Sequence, residues 1–95
     1  MKGAISMSEI IRRAVAGTME SSDVFVELEP GDNGIEIDLD SVVIHQYGDD
    51  IRRVVGEVMT EQGVEHAKIH LVDRGALDCV IRARVETAIL RAKGE

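Results

Sequence analysis

Val24, Val26 and Leu28 alternate with Phe25, Glu27 and Glu29, and Ile35, Ile37 and Leu39 alternate with Glu36, Asp38 and Asp40. A two-residue period predicts two strands, each with one apolar and one polar face. Between them, Pro30-Gly31-Asp32-Asn33-Gly34 stacks several turn signals in five residues. Upstream, the apolar stretch Ala14 to Met19 runs into Glu20-Ser21-Ser22-Asp23. Serine hydroxyls satisfy backbone groups in turns, so this tetrapeptide reads as the apex of a β-hairpin. The stretch around 12–19 and the two strands together predict a three-stranded antiparallel meander, wet on one face.

The period then changes. Ile44, Tyr47, Ile51, Val54, Val55, Val58 and Met59 recur at spacings of three and four, with Arg52, Arg53, Glu57 and Glu61 between them, as an amphipathic helix requires. Ser41 is its expected N-cap and Gly63 its C′ glycine. Gly48 weakens the first turns, which predicts a regular start nearer Asp49. Val64 to Asp73 reads as a strand, with Ala67, Ile69 and Leu71 on one face and His66, Lys68 and His70 on the other. Arg74-Gly75 turns the chain into a last helix with a stripe through Leu77, Val80, Ile81, Val85, Ala88, Ile89 and Ala92. Asp73 is expected to cap its start, and Asp78 to sit at the positive end of its dipole. The predicted order β-β-β-α-β-α makes an α+β two-layer sandwich, a mostly antiparallel sheet packed on two helices. Residues 1–7 read as a flexible N-terminal extension, with Met7 a second possible start, and 8–95 as a single domain.

Composition narrows the function. Ninety-five residues give a small core, and with one Phe, one Tyr and no Trp that core must be aliphatic. So few rings argue against a site that stacks bases, sugars or flavins. A formal net charge of -7 opposes nucleic-acid and anionic-membrane binding and suits docking on basic partner surfaces. Cys79, the one cysteine, permits no internal disulfide, so the chain reads as a reduced, cytoplasmic protein. No apolar run is long enough to span a membrane, and the start lacks a signal-peptide core.

Candidate chemistry is sparse. Nucleophilic catalysis by Ser21 or Ser22 needs an adjacent base, and His45, His66 and His70 fit no motif that places one there. His66 and His70 share a strand face with Lys68 and read as solvated, not as metal ligands. Glu36, Asp38 and Asp40 lack calcium-loop spacing and read as a solubilising face. Cys79 is expected to be small and half-buried beside Val80. Arg52, Arg53, Arg82, Arg84 and Arg91 read as solvated charge on outer helix surfaces, with a phosphate- or partner-contacting patch as the alternative. No active site is assembled: neither catalytic residues nor metal ligands are assigned, and a carrier or interaction subunit is the expectation.

Three segments carry a family resemblance. Ala14-Val15-Ala16-Gly17-Thr18-Met19-Glu20-Ser21-Ser22-Asp23 resembles the A-G-T-L-E-S-G/S-D segment of the citrate lyase acyl carrier protein, the gamma subunit. Gln46-Tyr47-Gly48-Asp49-Asp50-Ile51-Arg52 is similar to its Q-F-G-D-x-I-R segment, and Asp73 to Glu86 to its D-x-G-A-L-D-C-x-x-R-A-R-x-E segment. The resemblance runs from about residue 8 to residue 93. It implies that Ser21, with Ser22 as second choice, carries phosphoribosyl-dephospho-coenzyme A through a phosphodiester. It further implies a non-catalytic acyl carrier domain that bears acetyl and citryl thioesters while citrate is cleaved to acetate and oxaloacetate. The implied partners are the alpha subunit (citrate-acyl carrier transferase), the beta subunit (citryl-acyl carrier lyase, which holds a divalent metal), the transferase that attaches the group, and an acetylating ligase. The acyl carrier of malonate decarboxylase shares a serine-glycine-aspartate turn and is the nearest alternative, followed by an unmodified interaction domain.

Overall fold

Alternating strand faces and two amphipathic helices bury one another as the patterns predict. The structure, a computed structural model, describes residues 10–42 and 44–94, with the backbone only of Ile44 and His45. Its elements are β1 (Ala14–Gly17), β2 (Val24–Glu29), β3 (Ile35–Ser41), α1 (Ile44–Glu61), β4 (Ala67–Asp73) and α2 (Asp78–Ala92). The expectations for residues 1–7 lie outside the described residues. Val24, Val26 and Leu28 are buried, as are Ala67, Ile69 and Leu71 of β4. Helix α2 covers them with Ile81, Val85, Ala88 and Ile89 from above β1 and β2, and α1 lies beside it over β3. The opposite sheet face is open, so the architecture is the two-layer α+β sandwich.

The predicted meander does not form. Sheet order is β1-β2-β4-β3, with β4 antiparallel to β2 and parallel to β3. Charge on the open face gives a reason. Pairing β2 with β3 would set Glu27 and Glu29 against Glu36 and Asp38, and like charges directly opposite are destabilising. With β4 between them, Lys68 stands between Glu29 and Glu36, and His70 between Glu27 and Asp38. His70 Nδ1 lies 2.8 Å from Asp38 Oδ2. The turn at 30–34 therefore crosses the start of β4 instead of closing a hairpin, and the Gly34 carbonyl accepts the Ala67 N–H at 3.0 Å. Left at the edge, β3 keeps Ile35 and Ile37 half-buried and its acids in water, a composition that suits an edge strand.

Ser41 ends β3, and its hydroxyl donates to Asp73 Oδ2 at 2.7 Å; the expectation that it caps α1 falls on a helix start that lies partly outside the described residues. Two helix-terminus expectations are corrected. Helix α1 begins at Ile44, not near Asp49, because Gly48 is buried within it and packing outweighs its weak propensity. Asp73 does not cap α2, whose N-cap is Leu77 without a side-chain bond. Instead Asp73 is buried and takes the Ala76 N–H at 2.9 Å, which fixes the turn before the helix. The end of α1 is as expected. Gly63 (φ 72) donates to Thr60 O at 3.0 Å and Val64 to Met59 O at 2.9 Å, the two bonds of a Schellman motif. Gly63→Ala should therefore cost about 1 kcal/mol, the left-handed penalty of a Cβ, read as a lower denaturant midpoint. An unchanged midpoint would show that the left-handed residue is not what ends the helix.

Candidate functional site

The loop at 18–23 joins β1 to β2, and glycine chemistry sets its entrance. Gly17 sits at φ 85, and a Cβ there would lie 1.9 Å from the Val24 carbonyl oxygen. Beyond it, Asp23 ties the loop together. Its Oδ2 accepts the Thr18 hydroxyl at 2.7 Å, and its Oδ1 accepts the Val24 N–H at 2.7 Å. Arg84 of α2 closes on both oxygens, Nε to Oδ1 at 3.1 Å and Nη2 to Oδ2 at 3.0 Å. Such a bidentate fork fixes geometry as well as charge. The Thr18 hydroxyl, then Arg84, holds the Asp23 carboxyl down at about 2.

A second set of bonds stitches the loop to the residue after β4. Ser22 (φ 65) donates its N–H to the Arg74 carbonyl at 2.9 Å, and Arg74 donates to the Asp23 carbonyl at 2.9 Å. At the tip the Asp23 N–H donates to the Glu20 carbonyl at 3.1 Å, and the Glu20 N–H to Thr18 Oγ1 at 3.2 Å. Ser21 is exposed, and among the described residues nothing hydrogen-bonds its hydroxyl. The loop is thus pinned at its base and side with two hydroxyls, those of Ser21 and Ser22, standing clear.

Topology gathers more at this end. The ends of β3 and β4 pair here (Ser41 with Asp73), and Val24 pairs with Asp73 from the other side. Helices α1 and α2 both start here, so their positive ends face this end. Beside the loop, Tyr47, Asp50, Ile51, Gly75, Ala76, Leu77 and Asp78 line a shallow groove of about 350 Å³. All three segments that carry the family resemblance therefore meet around Ser21.

The other sequence candidates scatter. His66 Nδ1 accepts the Gly34 N–H at 3.1 Å at the far end of β4. His70 pairs with Asp38, three residues and about 10 Å short of the end of its strand, and the side chain of His45 lies outside the described residues. No three His, Cys, Asp or Glu gather at metal-binding distance among the described residues. Cys79 is exposed in the first turn of α2, not half-buried as expected, because the stripe that faces the core begins at Val80 and Ile81. The arginines are individually engaged: Arg52 with Asp49, Arg53 with Glu57, Arg82 with Glu57 and Glu61, and Arg91 with the Val15 carbonyl. Arg84 and Thr18 are the contributors that the sequence reading missed. Thr18 and Asp23 were legible as a five-residue polar frame, but Arg84 lies 61 positions away from Asp23 and no local pattern joins them.

Residues 11–92 match the family model described as "Malonate decarboxylase delta subunit (MdcD)". Similar relatives include the citrate lyase acyl carrier proteins of Enterobacter sp. (strain 638), 51% identical over 92% of this chain and 90% of that protein, and of Lactiplantibacillus plantarum, 51% identical over 88% of each. That of Rhodopseudomonas palustris is 47% identical over 92% of this chain and 90% of its own length. A similar fold occurs in the crystal structure of a Pseudomonas malonate decarboxylase hetero-tetramer in complex with malonate, with a TM-score of 0.77 and 26% identity over 88% of this chain and 87% of that one. The class is thus that of small acyl carrier subunits. Within it, the chain belongs to the citrate lyase acyl carrier protein family.

Two measurements test the loop. Gly17→Ala should destabilise by about 2 kcal/mol or more, since φ and contact are both prohibitive, and chemical denaturation would read it. The second is pH dependence. A folded pKa depressed from 3.8 to about 2 stabilises above the unfolded value, and that stability is lost as pH falls through the folded one. With Arg84 partly solvated, the contribution is on the order of 1 kcal/mol. The stability advantage of the natural chain over Asp23→Asn should therefore shrink between pH 4 and pH 2, and an advantage constant across that window would contradict the assignment.

Proposed function

We propose that this chain is the acyl carrier subunit of citrate lyase, with phosphoribosyl-dephospho-coenzyme A joined to Ser21 through a phosphodiester. The observation that carries this reading is the exposed, unbonded Ser21 hydroxyl at the tip of a loop that Thr18, Asp23 and Arg84 hold in place. Ser22 is exposed and unbonded as well, and the resemblance of the Glu20-Ser21 pair chooses between them. The surroundings fit a phosphate-linked group. Arg84 already neutralises Asp23, the positive ends of both helices face this end, and the exposed Arg74 makes no side-chain bond among the described residues. When attached, the group supplies a thiol on a flexible arm, on which acyl groups are borne as thioesters. The chain's own part is to present that arm from a fixed anchor, so that the effective concentration at each partner is high.

In this reading the carrier serves an alpha subunit that transfers it onto citrate and a beta subunit that cleaves the citryl thioester to oxaloacetate. An attaching transferase and an acetylating ligase prepare it. Bond making and breaking belong to those partners, the divalent metal to the beta subunit, and the setting is the cytoplasm. No helix among the described residues is long and apolar enough to cross a membrane. The second reading, a malonate decarboxylase carrier, is favoured by the fold match and by the family model's description. Transfer of the loaded carrier to purified citrate lyase subunits would separate the two.

Ser21→Ala should keep its melting temperature and lose the adduct when co-expressed with the attaching enzymes, while Ser22→Ala keeps it. Intact mass with peptide mapping decides. A phosphoribosyl-dephospho-coenzyme A adduct on the Ser21→Ala chain would sink the assignment.

A further inference from the structure

Six large apolar side chains are exposed among the described residues, and four of them, Met19, Val42, Tyr47 and Leu77, stand at the Ser21 end. Leu77 is 70% exposed and Tyr47 54%. Ile11 and Leu90 lie towards the opposite end, where the Ile11 N–H meets the Ala92 carbonyl. Tyr47 and Leu77 both line the groove of about 350 Å³, as do Asp50 and Asp78. Its wall starts at Gly75, one residue after the Arg74 carbonyl that holds Ser22, so groove and serine are a few chain steps of about 3.8 Å apart. Exposed acids outnumber bases at the margin: Glu20, Asp50 and Asp78, with Asp49 offset by Arg52, against Arg74 and against Arg53, which pairs with Glu57 and feels the charge of Asp50 and Asp78.

We infer that this end is the docking surface for the enzyme that attaches the prosthetic group, a protein with an apolar contact patch and a basic margin. The inference rests on Ser21 being the attachment point. It commits to that occupant for a geometric reason: an enzyme that modifies Ser21 must bring an activated phosphorus to about 3–3.5 Å from its Oγ, and so must cover the surface around the loop. In that step the Oγ–P bond forms as the bond from phosphorus to its leaving oxygen breaks. The leaving group departs with the electron pair, and the hydroxyl proton passes to a base of the enzyme. The donor is a phosphate-rich anion, so the enzyme's site is lined with Arg and Lys. An acidic margin on the carrier complements it and steers the encounter. Leu77 and Tyr47 supply the area that apolar contact needs, and water-exposed clusters of this kind mark interaction sites.

The test is the steady-state rate of attachment, by intact mass, using the purified attaching enzyme and its activated donor on the full chain. Tyr47→Ser with Leu77→Ser should lower kcat/KM on the order of tenfold, mostly through KM. Asp50→Lys with Asp78→Lys should do likewise and flatten the dependence on salt. Leu90→Ser, at the far end, should match the natural chain, and melting curves confirm that each variant is folded. Wild-type kinetics in the Tyr47 and Leu77 variant would overturn the inference. So would a monomer–dimer shift in sedimentation caused by those substitutions, which would make the patch a contact between copies. A change in Tyr47 emission on loading, with attachment kinetics unaltered, would assign the groove to the arm instead and overturn it too. Ser21→Ala separates the two levels: an adduct on that variant defeats the attachment reading, whereas its loss alongside normal kinetics in the patch variants defeats the docking inference alone.

Discussion

Strand β4 lies between two neighbours that run in opposite senses, antiparallel to β2 and parallel to β3. Everything at the Ser21 end depends on that insertion. A parallel neighbour needs a crossover, and α1 supplies it by carrying the chain from the end of β3 back to the start of β4. The ends of β3 and β4 then coincide, both helices begin beside them, and the loop from β1 to β2 abuts Arg74 because β2 runs the other way. Had the meander formed, the Ser21 loop would have lost Arg74 as a neighbour.

Within that frame Asp23 turns a flexible hairpin loop into a rigid one. Six residues between two strands would otherwise sample many conformers, at a cost of about 1–2 kcal/mol per residue ordered. One carboxylate takes the Thr18 hydroxyl, the Val24 N–H and the Arg84 fork, so loop, strand and α2 share a single anchor. Arg84 projects from the helix that carries Ile81, Val85 and Ile89 into the core, and the loop is therefore as well placed as the core itself.

How much of this was legible in the sequence varied with the range of the signal. Period-two and period-3.6 patterns placed five of the six elements, an apolar stretch placed β1, and the hairpin apex at Ser21-Ser22 lies where the turn residues put it. Strand order did not follow, because adjacency in sequence favours a meander and only the open-face charges speak against it. Those charges were visible: Lys68 and His70 are the basic residues of β4, and β2 and β3 bring the acids that flank them. The α2 cap failed for a related reason. Asp73 has the right chemistry, but pairing of β3 with β4 brings it to Ser41, and its other oxygen closes the turn before the helix. The Asp23–Arg84 fork spans two elements with no periodic relation, which is why neither residue stood out, and Leu77 was assigned to a buried stripe whose first turn in fact faces water.

The charge balance at the loop bears on what it can hold. A phosphodiester on Ser21 would add an anion between Glu20 and Asp23 in a chain of net charge -7. Like charges a few ångströms apart in water repel by about 1 kcal/mol, a modest term that grows if both are partly shielded from solvent. Asp23 contributes little of it, since its charge is matched by Arg84 and its lone pairs are taken by Thr18 and Val24. The positive ends of two helices act in the opposite direction by about 0.3–1 kcal/mol each. The sum is near zero, so an anion can be appended without moving the loop. The acids that form no close ion pair, Glu20, Asp50 and Asp78, then act outward on whatever approaches, although Arg53 offsets part of the charge of the last two, and an acidic rim around a hydroxyl is compatible with both a phosphate anchor and a basic visitor.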